Sequence, residues 1–333
     1  MATCWGIVGC GMISADFVTA LKAVKEEHRV VAVAARSLSR AHEFARMHVV
    51  EKSYGSYEEL AKDEEIEVVY VGVINSEHLR VASTMIDAGK NVLCEKPLCV
   101  NYRETELLVK RAWEKKVFLM EGVWTRHFPV YQEMIKRLEA GEVGEVVQIL
   151  SSKGHPMHSV PRVWSNELGG GATLDLGIYT IQFASLVMHR EAPHKIVASG
   201  SCHEDGVDET FGATLVYSEK KVATLSSSVR CLLPNEDYIV GTKGTIRIPC
   251  MANTPQILES PSGKFECPIP NYGHKFNYPN SQGLMYEAME VRRCLKEGLK
   301  ECPRMPLKES LLLARIMEEI RVQVGVRIHH QDD

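Results

Sequence analysis

The N-terminal segment constrains the fold of this chain more than any other part of the sequence. An apolar run typical of a strand, Cys4 to Val8, leads directly into Gly9-Cys10-Gly11-Met12-Ile13-Ser14 and then into a helix-like stretch. A strand that turns into a helix over small residues directs backbone N–H groups and the positive end of the helix dipole at one point. Such a point suits the pyrophosphate of a dinucleotide, although many tight turns share this spacing and Ser14 replaces the third glycine.

Length, charge and cysteine content limit the class of protein further. A chain of 333 residues exceeds the usual size of one core and predicts two domains. Its formal net charge of -4, with acidic and basic residues mixed throughout, gives no basic patch for nucleic acid. No apolar run reaches the roughly 18 residues of a membrane span, and no secretory leader is visible, so we expect a cytoplasmic protein. Ten cysteines without a CxxC pair indicate buried free thiols.

The first 120 residues alternate short β-branched runs with amphipathic helical runs. This alternation indicates βαβ units and a doubly wound parallel sheet. The expected strands are Trp5 to Val8, Val30 to Ala35, Val68 to Ile74, Asn91 to Cys94 and Val117 to Glu121. The expected helices are Ala15 to Val24, Ser39 to His48, Ser56 to Lys62, His78 to Ala88 and Arg103 to Lys115.

The pattern changes beyond about residue 145. Strand-like runs follow one another with a single helix, near Asp175 to Val187, among them. Such runs indicate a largely antiparallel sheet. The strands are expected at Glu145 to Ser151, Lys195 to His203, Phe211 to Tyr217, Val222 to Arg230 and Tyr238 to Pro249, and two helices, Gln282 to Glu297 and Leu307 to Val324, follow them.

The end of the second predicted strand bears on the choice of cofactor. Chains that bind NAD place Asp or Glu there to hold the ribose 2′-hydroxyl. This sequence instead has Arg36, Ser37 and Arg40, which could hold a 2′-phosphate through charge-assisted hydrogen bonds. The alternative is that Ser37 or Ser39 caps the next helix and the arginines are solvated. The missing carboxylate favours NADP.

A charged pair, Glu95-Lys96, leaves the predicted strand that ends at Cys94 and precedes Pro97. The carboxyl ends of parallel strands are where ligands bind in such sheets. Lys96 could there hydrogen-bond a substrate hydroxyl or lower the pKa of a neighbouring acid. From the pattern alone, an exposed turn pair is the favoured interpretation.

Three glycines, Gly169 to Gly171, precede Asp175 and Tyr179. The two side chains are four residues apart, hence on one face if the segment is helical, and the glycines allow close backbone approach to a ligand. An acid and a phenol on one face form a plausible pair for proton transfer. The alternative is an ordinary helix N-terminus, with Asp175 favouring the dipole and Tyr179 packed in the core.

Weaker candidates lie in the remaining turns. His155 and His158 form an HxxH pattern, but a proline lies between them and no carboxylate or cysteine is near, so we expect a loop and no metal. Trp124, Arg126 and His127 follow a strand end, and they either line a pocket or pack between domains.

Asn75 and His78 follow the strand that begins at Val68. A cofactor ribose would pass this position. The competing interpretation is that Asn75 or Ser76 caps the next helix.

The chain resembles the Gfo/Idh/MocA oxidoreductase family in an ordered series of motifs that spans nearly its whole length. These are Gly9-x-Gly11-x-x-Ser14, Arg36, Asn75-x-x-His78, Glu95-Lys96-Pro97 and Asp175-x-x-x-Tyr179. Longer segments resemble one dimeric, NADP-dependent branch that acts on dihydrodiols and D-xylose, namely Val31 to Arg36, Tyr54 to Leu60, Trp124 to Arg126 and Leu174 to Tyr179.

The resemblance implies a Rossmann domain over 1–122 and, over 123–333, a substrate-binding and dimerisation domain. The second domain would contain an open, mainly antiparallel sheet, and its last helices would pack back on the first domain. A homodimer would form through the sheet faces. The cofactor would be NADP, bound by Gly9, Gly11, Met12, Ile13, Arg36, Ser37, Arg40, Asn75, His78, Glu95 and Lys96.

The resemblance also implies a mechanism. Hydride would pass between a substrate carbon and nicotinamide C4 while Tyr179 exchanges the hydroxyl proton. Lys96 would lower the pKa of this phenol from the ordinary value of about 10, and Asp175 would orient the substrate or Lys96. The Lys96-Pro97 bond is a candidate cis peptide. The expected pocket residues are Trp124, Arg126, His158 and Phe276.

Some positions depart from the family pattern. Where the family has a threonine-proline-asparagine run before the histidine, this chain has Val73-Ile74-Asn75. Two stretches that carry pocket aromatics in this branch, Ser152 to Gly154 and Pro249 to Asn253, contain none, whereas Phe276 and Tyr278 remain. The function expected is therefore NADP-linked oxidation of a cyclic diol or an aldose. A catalytically silent NADP sensor of the same fold is the alternative.

Overall fold

The computed structural model describes residues 1–328 and divides into two compact units. The first unit comprises Met1–Cys99, Glu104–Trp124 and Ile269–Leu307. The second comprises Val100–Arg103, Thr125–Pro268 and the chain from Lys308 onward.

The first unit is built on a six-stranded sheet in the order β3-β2-β1-β4-β5-β6, with every neighbouring pair parallel. The order reverses direction at β1 and β4, which makes this the Rossmann arrangement that the alternating sequence pattern predicts. Its strands are β1 (Thr3–Val8), β2 (His28–Ala34), β3 (Lys52–Tyr54), β4 (Val68–Val71), β5 (Asn91–Glu95) and β6 (Leu119–Gly122). The connecting helices are α1 (Met12–Leu21), α2 (Leu38–His48), α3 (Tyr57–Ala61), α4 (His78–Asp87) and α5 (Tyr102–Lys115).

The strands of this sheet are apolar because helices and loops cover both faces of a parallel sheet. All four residues of β4 are buried, and so are the last four of β2. Gly89, with φ +78°, follows α4 and ends it. The predicted strand from Val68 to Ile74 stops at Val71, because the chain turns at Gly72. Strand β3 was not predicted, since three half-buried residues show no periodicity.

The second unit contains a mixed sheet in the order β12-β11-β7-β10-β9-β8. Only the β7–β10 pair is parallel, so the mainly antiparallel sheet expected from the sequence is confirmed. The strands are β7 (Val146–Gly154), β8 (Lys195–Cys202), β9 (Asp208–Val216), β10 (Val222–Ser228), β11 (Asp237–Gly241) and β12 (Thr245–Ile248). The other elements are α6 (Pro129–Glu139), α7 (Ile178–Val187), the short strands β13 (Ile257–Leu258) and β14 (Phe265–Glu266), and α9 (Leu307–Val324), while α8 (Leu284–Lys296) belongs to the first unit.

The structure differs from the sequence expectations at three places in this part of the chain. The single strand expected from Tyr238 to Pro249 is a hairpin, because the turn between Gly241 and Gly244 folds β12 back on β11. Helix α6 was not predicted. The segment from Thr173 to Gly177 is a π-helical turn, and α7 begins only at Ile178.

Helix α7 packs on one face of the second sheet, against β7, β10 and β11. Eight of its ten residues are buried, including the polar residues Thr180, Gln182 and Ser185. The opposite sheet face carries exposed side chains.

The cysteines differ in part from the expectation of buried thiols. All ten are unbridged, but Cys202, Cys231 and Cys250 are exposed. Of the described helices, none is long and apolar enough to cross a membrane.

Candidate active site

The glycine turn after β1 is tightly packed against the end of β4. Gly9 has φ +97°, and a Cβ placed on it would lie 2.5 Å from the carbonyl oxygen of Gly72. A Cβ on Gly72 would in turn lie 2.4 Å from the hydroxyl oxygen of Ser14. Ser14 is buried and donates a hydrogen bond to the Gly72 carbonyl at 3.4 Å. Ser14 thus occupies the contact between helix and strand where the third glycine of the motif stands.

The N-terminus of α1 is open at the sheet edge. Gly11 and Met12 are exposed and Ile13 is half-buried, and the first N–H groups of a helix have no partner within it. A pyrophosphate fits these donors and the helix dipole. The segment that carries Phe276 lies beside this turn, because the Asp16 carboxylate accepts hydrogen bonds from the backbone N–H groups of Asn277 and Tyr278 at 2.8 and 2.9 Å.

Arg36 and Arg40 lie near the same turn and are exposed. Within residues 1–328 neither forms a hydrogen bond or an ion pair. Ser37 stands at the N-cap of α2 without capping it, since its hydroxyl faces that of Ser39 at 2.7 Å. Arg36 acts electrostatically on the buried Tyr57 phenol, whose pKa is raised by burial and lowered by Arg36 and Arg80. Arg36 and Arg40 thus give the end of β2 a positive surface, which fits a 2′-phosphate.

Glu95 and Lys96 occupy the carboxyl end of β5. Glu95 is buried and accepts hydrogen bonds from the Tyr70 hydroxyl at 2.6 Å and from the Lys96 backbone N–H at 3.2 Å. The interpretation as an exposed turn pair is therefore wrong for Glu95, since its carboxylate is fixed inside the unit. Lys96 is half-buried, and the bond to Pro97 is cis, as expected.

His78 is fully buried in the first unit. Its ring nitrogens face the carbonyl oxygens of Pro97 at 2.8 Å and of Val73 at 3.2 Å. Burial lowers the pKa of His78 although these carbonyls raise it. This geometry indicates that His78 holds the loops after β4 and β5 in place. Asn75 is also buried, in the short turn before α4.

In the second unit, Asp175 and Tyr179 lie at the start of the helical segment. Asp175 is 3% exposed and is bound by the Arg162 guanidinium at 2.8 and 3.1 Å. The turn that carries it is fixed by Asp208, which accepts hydrogen bonds from the N–H and hydroxyl of Thr173, both at 2.6 Å. Tyr179, one residue into α7, is half-buried. The sequence pattern did not predict the ion pair between Asp175 and Arg162.

Arg126 is bound inside the second unit, although the sequence suggested it for the substrate pocket. It is 1% exposed and pairs with the Glu309 carboxylate at 2.6 and 3.1 Å, and it also donates to Gln182. Its donors are thus engaged with internal acceptors, which favours a packing role.

The other pocket candidates have different environments. His158 is exposed and stacks on Trp164, with ring centroids 5.6 Å apart. Trp124 is buried and Phe276 half-buried in the first unit. In the part of the chain that the structure describes, one group of three side chains, Glu290, Cys294 and Cys302, is close enough together to hold a metal ion, and neither His155 nor His158 belongs to it.

The structure adds residues that sequence reasoning missed. A small cleft of the second unit places Lys153, Asp237 and Asn253 beside Tyr179. Lys153 and Asp237 lie on the inward-facing positions of β7 and β11, which are otherwise apolar or small. A charged residue in an inward position of a strand is the signal that could have identified both.

Comparison with known proteins shows the family. Residues 4–123 match the model described as "Oxidoreductase family, NAD-binding Rossmann fold", and residues 131–247 match the Gfo/Idh/MocA C-terminal domain. The chain therefore belongs to the Gfo/Idh/MocA oxidoreductase family, and its first unit contains an NAD(P)-binding Rossmann domain.

Individual relatives are similar over their whole length. The chain is 48% identical to trans-1,2-dihydrobenzene-1,2-diol dehydrogenase of Danio rerio, covering 100% of this chain and 99% of that one. The protein of the same name from Xenopus laevis is 46% identical, with 98% and 99% covered. A solved levoglucosan dehydrogenase, in complex with NADH and levoglucosan, has a TM-score of 0.85 at 18% identity, covering 98% of each chain, which shows the fold.

Proposed function

We propose that this chain is an NADP-dependent dehydrogenase of cyclic vicinal diols of the dihydrodiol type, or of aldoses such as D-xylose. The observation that carries the proposal is the Arg36 and Arg40 surface beside a tightly packed glycine turn, on a chain whose full-length relatives are named as dihydrodiol dehydrogenases. The six residues that follow β2, Ala35 to Arg40, include no Asp or Glu that could hold an unphosphorylated ribose.

The residues fit the proposed cofactor. Gly9 and Gly11 leave room for the pyrophosphate at the N-terminus of α1, and the adjoining Met12 and Ile13 complete that turn. Arg36, Ser37 and Arg40 would hold the 2′-phosphate. When bound, NADP supplies a nicotinamide C4 that accepts or donates the hydride.

The chain's own residues would handle the proton. Tyr179 would accept the proton of the substrate hydroxyl during oxidation and return it during reduction. Lys96 would stabilise the resulting phenolate, since a nearby cation favours the charged form of an acid. Asp175, fixed by Arg162, would orient the substrate or Lys96.

A turnover panel tests this proposal. Purified protein is offered D-xylose, D-glucose and trans-dihydrobenzenediol with NADP+ or NAD+, and reduced cofactor is followed by absorbance. We expect NADP+ reduction with at least one substrate, and a loss of about 100-fold or more in the Tyr179→Phe variant, within the range for a general acid or base. Tight NADP binding without any turnover would instead support a catalytically silent sensor. A fully active Tyr179→Phe variant would refute the assigned proton transfer.

We also propose a homodimer through the open face of the second sheet. A row of paired residues crosses that face, with Leu150 opposite Thr224, Thr224 opposite Thr214 and Thr214 opposite Val197. Leu150 and Val197 are 37% and 50% exposed, although large apolar side chains are usually buried. Light scattering should give twice the chain mass of 37.3 kDa, and a Leu150→Arg variant should give the monomer mass.

A further inference from the structure

The cleft beside Tyr179 contains two ionisable groups that the proposed mechanism does not use. Strand β7 contributes Lys153 together with Ser151, and strand β11 contributes Asp237. Tyr179 enters the cleft from α7, which packs across both strands. All of these groups belong to the second unit.

Lys153 places a positive charge close to the phenol. Its ammonium nitrogen lies 6.0 Å from the centroid of the Tyr179 ring and donates a hydrogen bond to the side-chain oxygen of Asn253. If the ring centroid stands for the phenolate charge, which is delocalised over the ring, a unit charge at this distance and an effective dielectric constant between about 20 and 80 change the pKa of an acid by about 0.5 to 2 units. The sign favours the phenolate, because the charge is positive.

Asp237 lines the same cleft as Lys153 and is buried. Its carboxylate accepts a hydrogen bond from the Ser151 hydroxyl, and the Tyr131 hydroxyl of α6 also faces it. Burial raises the pKa of Asp237 to about 7, although Ser151, Lys153 and Tyr131 lower it. The Asp237 carboxyl group therefore ionises within the working pH range of most enzymes. Once ionised, this carboxylate opposes the effect of Lys153 on the Tyr179 phenol.

Two ion pairs of the second unit also lie near these residues. The Arg162–Asp175 ion pair lies on the turn before Tyr179. The Arg126 guanidinium, which acts electrostatically on the Tyr131 phenol, is paired with Glu309.

We propose that Lys153 and Asp237 are positioning residues of opposite effect, which together set the charge at the Tyr179 phenol. Lys153 favours the phenolate, and the Asp237 carboxylate reduces this influence as it ionises. The catalytic consequence rests on the proposed function, in which Tyr179 exchanges the substrate proton. The electrostatic relation itself is a property of the folded chain and can be measured without turnover.

The test is a titration of Tyr179 by NMR on protein labelled with carbon-13 at the tyrosine ζ position, with Tyr179→Phe identifying the signal. Lys153→Met should raise the titration midpoint by about 0.5 to 2 pH units, and Asp237→Asn should lower it. Lys195→Met, which removes an exposed lysine of β8, is the matched control and should leave it unchanged. Equal midpoints in all variants, or shifts of the same sign in Lys153→Met and Asp237→Asn, would overturn the proposal.

A kinetic measurement separates this inference from the proposed function. In the wild type, the rise of kcat with pH should show a break near pH 7, where Asp237 ionises, and Asp237→Asn should remove it. Lys153→Met should move the main rise to higher pH by the shift measured for the phenol. If the NMR shifts occur but Tyr179→Phe remains active, the assigned role of Tyr179 fails while the electrostatic relation stands. If Tyr179→Phe is inactive and no NMR shift occurs, the relation fails and the assigned role stands.

Discussion

The arginine surface beside the glycine turn predicts how the choice of cofactor can be changed. Replacing Arg36 by alanine removes a charge that lies at the end of β2, where the 2′-phosphate would bind. A hydrogen bond to a charged group contributes about 1.5–3 kcal/mol. Because Arg36 is exposed, we take the lower end, which is a loss of about tenfold in NADP affinity. NAD lacks this phosphate, so its affinity should stay the same.

Arg36→Asp should change the preference further. The carboxylate repels the phosphate and accepts a hydrogen bond from the ribose hydroxyl of NAD, so the ratio of the two affinities should change by about 100-fold. The assay is titration of tryptophan fluorescence with NADP+ and NAD+. Arg46→Ala, on the exposed side of the same helix α2, is the control. An affinity ratio that stays constant in both Arg36 variants would refute binding of the phosphate at this surface.

Three further predictions concern stability and packing. Glu309→Gln should lower the free energy of unfolding by about 3–5 kcal/mol, measured by urea denaturation, because it leaves the buried Arg126 charge without its counter-ion; a loss below about 1 kcal/mol would contradict this reading. Glu287 is fully buried, and its carboxyl oxygens have no hydrogen-bond partner among the described residues, so burial raises its pKa well above the usual value. A carboxyl group whose pKa is raised in the folded state stabilises the fold at low pH, and this contribution is lost as the pH rises through the folded-state pKa. The melting temperature of Glu287→Gln should therefore fall less with rising pH than that of the wild type. Parallel curves of melting temperature against pH would argue against a neutral Glu287. Gly9→Ala should abolish NADP binding, because its Cβ would lie 2.5 Å from the Gly72 carbonyl oxygen, and normal affinity in a binding titration would show that the turn can relax.

The sequence predicted the parallel sheet well, because each of its main strands is a short apolar run followed by an amphipathic helix. The second sheet was less predictable at its turns. The hairpin of β11 and β12 was read as one strand because apolar and β-branched residues stand on both sides of Gly241-Thr242-Lys243-Gly244. A short turn of two glycines and two polar residues is a weak signal beside β-branched neighbours on either side.

The candidate residues were predictable to different degrees. Arg36 could be identified because a missing carboxylate is visible in the sequence itself. The engagement of Arg126 with Glu309, 183 residues away, depends on tertiary packing that no local pattern encodes. Lys153 and Asp237 come together only because β7 pairs with β11, and strand pairing of this separation cannot be read from periodicity.

The burial of α7 has a consequence for how the proposed proton-transfer group is held. Backbone amides in an element surrounded on all sides exchange with solvent only through large opening events, so those of α7 should be among the slowest to exchange in the chain. Tyr179 stands in the first turn of this helix, half-buried while its neighbours are enclosed. The phenol is therefore carried by a backbone with little freedom, and the accuracy of its placement does not depend on a loop closing over it.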